Sequence, residues 1–155
     1  MAGNASFAPL EIGNVVHLQP ANPAAGADFS VTVPTTPDAG FLWVLDFVRL
    51  VFVTSATVSN RAMVLQTRNA TNTLDLFMVN TLAATVQAAS TTNTWKFYRN
   101  LPLREYPAEN NSIKVWMPEI VMLPGERLKT TITNLQVGDQ ISNVFVCYRE
   151  FRVPA

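Results

Sequence analysis

Histidine occurs once in the 155 residues, at His17, and cysteine once, at Cys147. Those two counts restrict most of the chemistry the chain can host. A zinc site needs several His or Cys ligands together, and a metal-binding barrel of the cupin kind needs several histidines. Neither is expected. A Ser-His-Asp triad would have to recruit His17, and no serine stands in a Gly-x-Ser-x-Gly elbow. Cys147 alternates within an apolar run, the setting of an inert buried thiol rather than a nucleophile. Glycoside hydrolysis needs a carboxylate pair. Glu105, Glu109, Glu119 and Glu126 are available, but no spacing singles out two of them. The six glycines are scattered and form no phosphate-cradling loop. Asp139, following Gly138, reads as turn chemistry before it reads as a calcium ligand. The expectation is a protein with no catalytic residues, no cofactor and no metal.

What the chain offers instead is apolar surface. Eleven basic and eleven acidic side chains cancel, 48% of residues are apolar and only 14% are charged, against about 25% charged in a typical soluble domain. A neutral chain lacks the basic face that displaces counterions from phosphate, so nucleic acid is not an expected partner. The longest apolar stretch, 41–53, has thirteen residues and is interrupted by Asp46 and Arg49. A membrane helix needs about 20, so no membrane span is expected. Residues 1–10 contain no Lys or Arg ahead of an apolar run and lack a signal-peptide layout, which makes synthesis in a cytosol the expectation. One domain of this size builds a core without disulfides. The apolar excess is then expected on surfaces that another chain covers.

The elements that must carry this surface are strands. Residues 1–28 are rich in Ala, Asn and Pro, and prolines 9, 20 and 23 preclude a continuous helix. An extended arm is expected there, with one edge strand around Val15, Val16 and Leu18. From Phe29 to Val33 apolar residues alternate with hydroxyls, the period of a half-buried strand. Phe41 to Val53 is apolar on both faces and longer than most strands. The parity of its polar residues switches between Asp46 and Arg49, where a bend or bulge is expected.

Residues 62–68 and 73–79 flank Asn69-Ala70-Thr71-Asn72, suitable turn chemistry for a hairpin. Residues 80–93 show no alternation. Strands are expected again over 95–99, 113–117, 127–134 and 144–151, with a type II turn at Pro124-Gly125 and another turn at Gly138-Asp139. Eight or nine strands without a long helix make the chain all-β, with two packed antiparallel sheets. The domain boundary falls between an N-terminal arm, 1–28, and a sandwich, 29–155.

Alternation also assigns faces. Trp116 shares a face with Lys114, Tyr98 with Lys96, and Phe77 and Val79 with Asp75, so these four apolar residues are expected outside, as an oligomer interface. Trp43, Trp95 and Trp116 could alternatively serve a sugar-binding module as stacking platforms.

Asn60-Arg61, standing after one apolar strand and before Ala62-Met63-Val64-Leu65-Gln66, resembles the small jelly-roll proteins that decorate tailed-phage capsids. The same likeness continues through Leu123-Pro124-Gly125-Glu126-Arg127-Leu128-Lys129-Thr130, Gly138-Asp139-Gln140-Ile141 and the final Tyr148-Arg149-Glu150-Phe151, covering about 41–151. The resemblance implies an antiparallel two-sheet jelly-roll sandwich with an extended N-terminal arm. It implies a non-enzymatic decoration, or cement, protein on the outer surface of the virion. Such a protein commonly forms a homotrimer and ties neighbouring major capsid proteins together. The arm around Phe7, Pro9 and Leu10 would then lie across capsid protein as an added segment. A tail or neck accessory protein, or a carbohydrate-binding jelly roll, is the alternative.

Overall fold

The computed structural model describes residues 13–35, 41–80, 86–99 and 111–152. Among these residues ten strands occur in chain order: β1 Asn14–Leu18, β2 Ser30–Thr32, β3 Phe41–Val53, β4 Met63–Arg68, β5 Asp75–Asn80, β6 Thr92–Tyr98, β7 Ser112–Trp116, β8 Ile120–Met122, β9 Arg127–Ile132 and β10 Gln140–Arg152. No helix occurs among the described residues. One sheet runs β1-β10-β3-β6-β7, with β8 paired to the first part of β3, and the other runs β2-β9-β4-β5. All pairs among these strands are antiparallel except β6 with β7. The protein is an all-β sandwich, as the period-two pattern predicts.

The core lies between the sheets. Trp43, Leu45, Val48, Leu50 and Phe52 of β3 meet Ile141, Val144, Val146 and Tyr148 of β10, with Met63, Leu65, Leu128 and Ile132 among those contributed by the smaller sheet. Burying each such side chain contributes about 1.5–3 kcal/mol relative to exposing it. Trp43 and Tyr148 stack at 3.9 Å between ring centroids. β1 sits at the edge of the larger sheet. Residues 19–28 are also fastened to the sandwich, through Gly26 N–H to the Asp139 carbonyl and Gln140 Nε2 to the Pro23 carbonyl.

Two bulges shape the long strands. In β3, Leu45 pairs with Tyr148 and Phe47 with Cys147, leaving Asp46 as the extra residue, inside the expected window. In β10, Ser142 pairs with Val51 and Phe145 with Arg49, so Asn143 and Val144 together stand opposite Leu50. Asn143 takes φ 49°, a left-handed conformation that Asn tolerates better than most residues. The Pro124-Gly125 turn forms as expected, with Gly125 at φ 84° and Glu126 N–H donating to the Leu123 carbonyl.

Arg61 and Asp139, distant in sequence, close one end of the sandwich. Arg61 is 0% exposed, and its Nε and Nη2 donate to the two Asp139 carboxylate oxygens at 3.0 Å each. Its remaining donors reach the carbonyls of Thr57 and Ser59 and the Ser55 hydroxyl. Asp139 also accepts from the N–H groups of Ser55 and Gln136. Arg61 and Gln87 exchange two backbone hydrogen bonds. Gln87, itself buried, accepts from Trp95 Nε1 and donates to the carbonyls of Phe52 and Thr91. Residues 86–91 are therefore held by a buried polar network in which each donor finds an acceptor.

Candidate interaction surface

Strand register arranges the outward side chains of the larger sheet in rows. His17 pairs with Cys147, Cys147 with Phe47, Phe47 with Tyr98, and Tyr98 with Trp116, so one row crosses β1, β10, β3, β6 and β7. With strands about 4.8 Å apart, this row is about 19 Å long. Phe47 stacks on Tyr98 at 4.9 Å, and Phe145, two residues from Cys147 on the same face, stacks on His17 at 5.4 Å. Trp116 ends the row and is 62% exposed.

Charged side chains border the aromatics on both sides. The bulged Asp46 accepts from Arg149 Nε at 2.9 Å and Nη2 at 3.1 Å, and from Arg99 Nη1 at 3.2 Å. Arg99 also pairs with Glu119. On the other side, Arg49, Lys96 and Lys114 stand in register on β3, β6 and β7.

The smaller sheet carries a second apolar surface at its edge strand, β5. Val79 pairs with Leu65 and Phe77 with Thr67, while Asp75 pairs with Arg68, so Leu76 is an extra residue and the strand changes parity there. Val79 turns into the core, Phe77 on the same face stays 37% exposed, and Leu74, Leu76 and Met78 are 59%, 45% and 45% exposed.

The expected interface is thereby corrected at Val79. Val79 is 6% exposed and belongs to the hydrophobic core, whereas Phe77, at the sandwich margin, stays 37% exposed as expected. The cause is the bulge, since Asp75 marks the outside but no longer shares parity with the residues after it. Tyr98 and Trp116 do lie on an outer face, beside Lys96 and Lys114, as alternation requires. Phe7, Pro9 and Leu10 lie outside the described residues. Of the three tryptophans considered as stacking platforms, Trp43 and Trp95 are buried and Trp116 alone reaches the surface.

Among the described residues, the carboxylates of Asp139, Glu126 and Glu119 each have partners. Burial would raise the Asp139 pKa, but hydrogen bonds from Arg61, Ser55 and Gln136 outweigh it and hold the carboxyl at about 2. Glu126 accepts the Leu123 N–H within its turn, and Glu119 pairs with Arg99. Glu105 and Glu109 fall outside the described residues. Cys147 is half-buried on the outer face rather than in the core. Burial first, and then the Asp46 carboxylate, push its pKa up, so the thiol stays protonated at neutral pH. Among the described residues, no three of His, Cys, Asp and Glu come together in a group that could hold a metal ion.

Sequence reasoning missed Phe47 and Phe145 as outward residues. Counting by two from Trp43 and Leu45 sends Phe47 inward, and only the bulge at Asp46 reverses it. Comparison of the chain with protein-family models, curated proteins and solved structures finds no match.

Proposed function

We propose that the chain is a capsid decoration protein, a non-enzymatic jelly roll that self-associates and binds the outside of a tailed-phage head, tying neighbouring major capsid proteins together. The observation that carries this reading is β5. An edge strand presents unpaired backbone groups, and here it also exposes Leu74, Leu76 and Met78, a combination that an isolated soluble protein ordinarily avoids. A second chain covering that strand removes both costs.

Strand order supports the jelly-roll part. With β7 and β8 set aside, the sheets read β1-β10-β3-β6 and β2-β9-β4-β5, so the first strand lies beside the last and the second beside the next to last. The resemblance gains support from the contact between two of its segments, Asn60-Arg61 and Gly138-Asp139, in the buried clamp. Trp116 and Tyr98 provide a second apolar patch for contact with capsid or with another copy. Many copies bound together would gain avidity without a strong single contact.

The test is cosedimentation of purified protein with empty expanded heads of the phage that carries it. Saturable binding of the full chain is expected, with a variant lacking residues 1–12 folded but unbound. Absence of binding by the full chain would contradict the decoration reading. Full occupancy by the truncated chain would remove Phe7, Pro9 and Leu10 from the contact.

A further inference from the structure

A cleft of about 630 Å³ opens on the outer face of the larger sheet, at the side remote from Trp116. It is lined by Phe47, Phe145 and Arg49 from the sheet, by Asn143 at the β10 bulge, and by Gln19 and Asn22 from the segment after β1. We infer that this cleft binds a sugar ring of a glycan, with the rings of Phe47 and Phe145 packed against its apolar face and edge and the amides of Gln19, Asn22 and Asn143 around its hydroxyls.

The lining chemistry selects this class. A pyranose has an apolar C–H face and a rim of hydroxyls that both donate and accept. Aromatic faces match the first, and side-chain amides, each with two donors and an acceptor, match the second. Phe47 and Phe145 lie 6.1 Å apart with their rings tilted by 56°, so together they form a floor and a wall rather than a flat plate. All three amide side chains are exposed, and none takes a hydrogen-bond partner among the described residues. Among the described residues Arg49 is the one cation in the lining, whereas phosphate recognition would call for several. The volume falls within the range of small-molecule sites.

Construction of the site points the same way. The β10 bulge places Asn143 in the left-handed region and lets Asn143, Val144 and Phe145 all border the cleft. Bulges that re-aim side chains are over-represented beside binding sites. Stacking against His17 restrains the Phe145 ring. The inference does not rest on capsid binding, since the cleft uses neither β5 nor Trp116.

Isothermal titration calorimetry tests it with maltotriose, lactose, triacetylchitotriose and trigalacturonate as probes. At least one should bind with Kd of about 1 mM or tighter. Phe145→Ala and Asn143→Gly should each weaken that binding by about tenfold or more, which corresponds to about 1.4 kcal/mol. The glycine variant suits the left-handed φ and removes only the amide, so its fold is retained. Trp116→Ala should bind as the wild type does. No heat with any probe up to about 10 mM, affinity unchanged in both cleft variants, or affinity lost only in Trp116→Ala would each overturn the inference.

Discussion

Replacing Arg61 with Met would leave Asp139 buried and without its counterion, and breaking a buried pair from one side costs about 3–5 kcal/mol. Urea denaturation of Arg61→Met should show a loss of that order; a loss below about 1 kcal/mol, the scale of a surface pair, would contradict the clamp. Acid should act on the same contact. The Asp139 carboxyl is lowered from an ordinary 3.8 to about 2, so its stabilisation is complete above the unfolded value and is lost as pH falls from about 4 through about 2. Thermal melts across that window should fall steeply, and Asp139→Asn should flatten the slope. Asp28 behaves oppositely. Burial raises its pKa, opposed by the Thr130 hydroxyl, so the ionised form opposes folding at neutral pH. Asp28→Asn keeps an oxygen for Thr130 and should be neutral or stabilising at pH 7, with no such gain at pH 3. Asn60-Arg61 and Gly138-Asp139 were each legible as motif and turn. Their contact was not, because nothing in a sequence of this kind records which distant residue satisfies a buried guanidinium.

At the level of elements, alternation located the strands and proline-glycine chemistry located the turns, while face assignment failed wherever a bulge intervened. β3 illustrates both outcomes. The switch in polar parity between Asp46 and Arg49 revealed its bulge, yet its two-sided apolar character concealed that Trp43 faces the core and Phe47 does not. In β5, Leu76 has no polar marker of its own, so the parity change passed unseen and buried Val79 was assigned to the outside. Short β8 was also invisible, three residues after Pro118 being too few for a period. The exposed β5 stripe leads to a direct expectation. Leu76→Lys together with Met78→Lys should leave the melting temperature within a few degrees of wild type, because neither residue packs in the core. The same pair should abolish self-association in sedimentation velocity, since a charge on an edge strand opposes pairing with another chain. An unchanged sedimentation profile would move the interface elsewhere, with Trp116→Ala as the next variant.

For the whole molecule, composition and structure agree on an excess of apolar surface. A chain with 14% charged residues has folded into a sandwich whose core takes one side of each sheet, leaving an aromatic row on one outer face and an aliphatic edge on the other. The proposed decoration reading has these surfaces join copies of the chain and grip a lattice, and it expects an oligomer that persists without the capsid. Sedimentation equilibrium of the purified protein tests this most directly. The account predicts a discrete species at three times the 17.1 kDa of one chain. A single 17.1 kDa monomer at every concentration would contradict it.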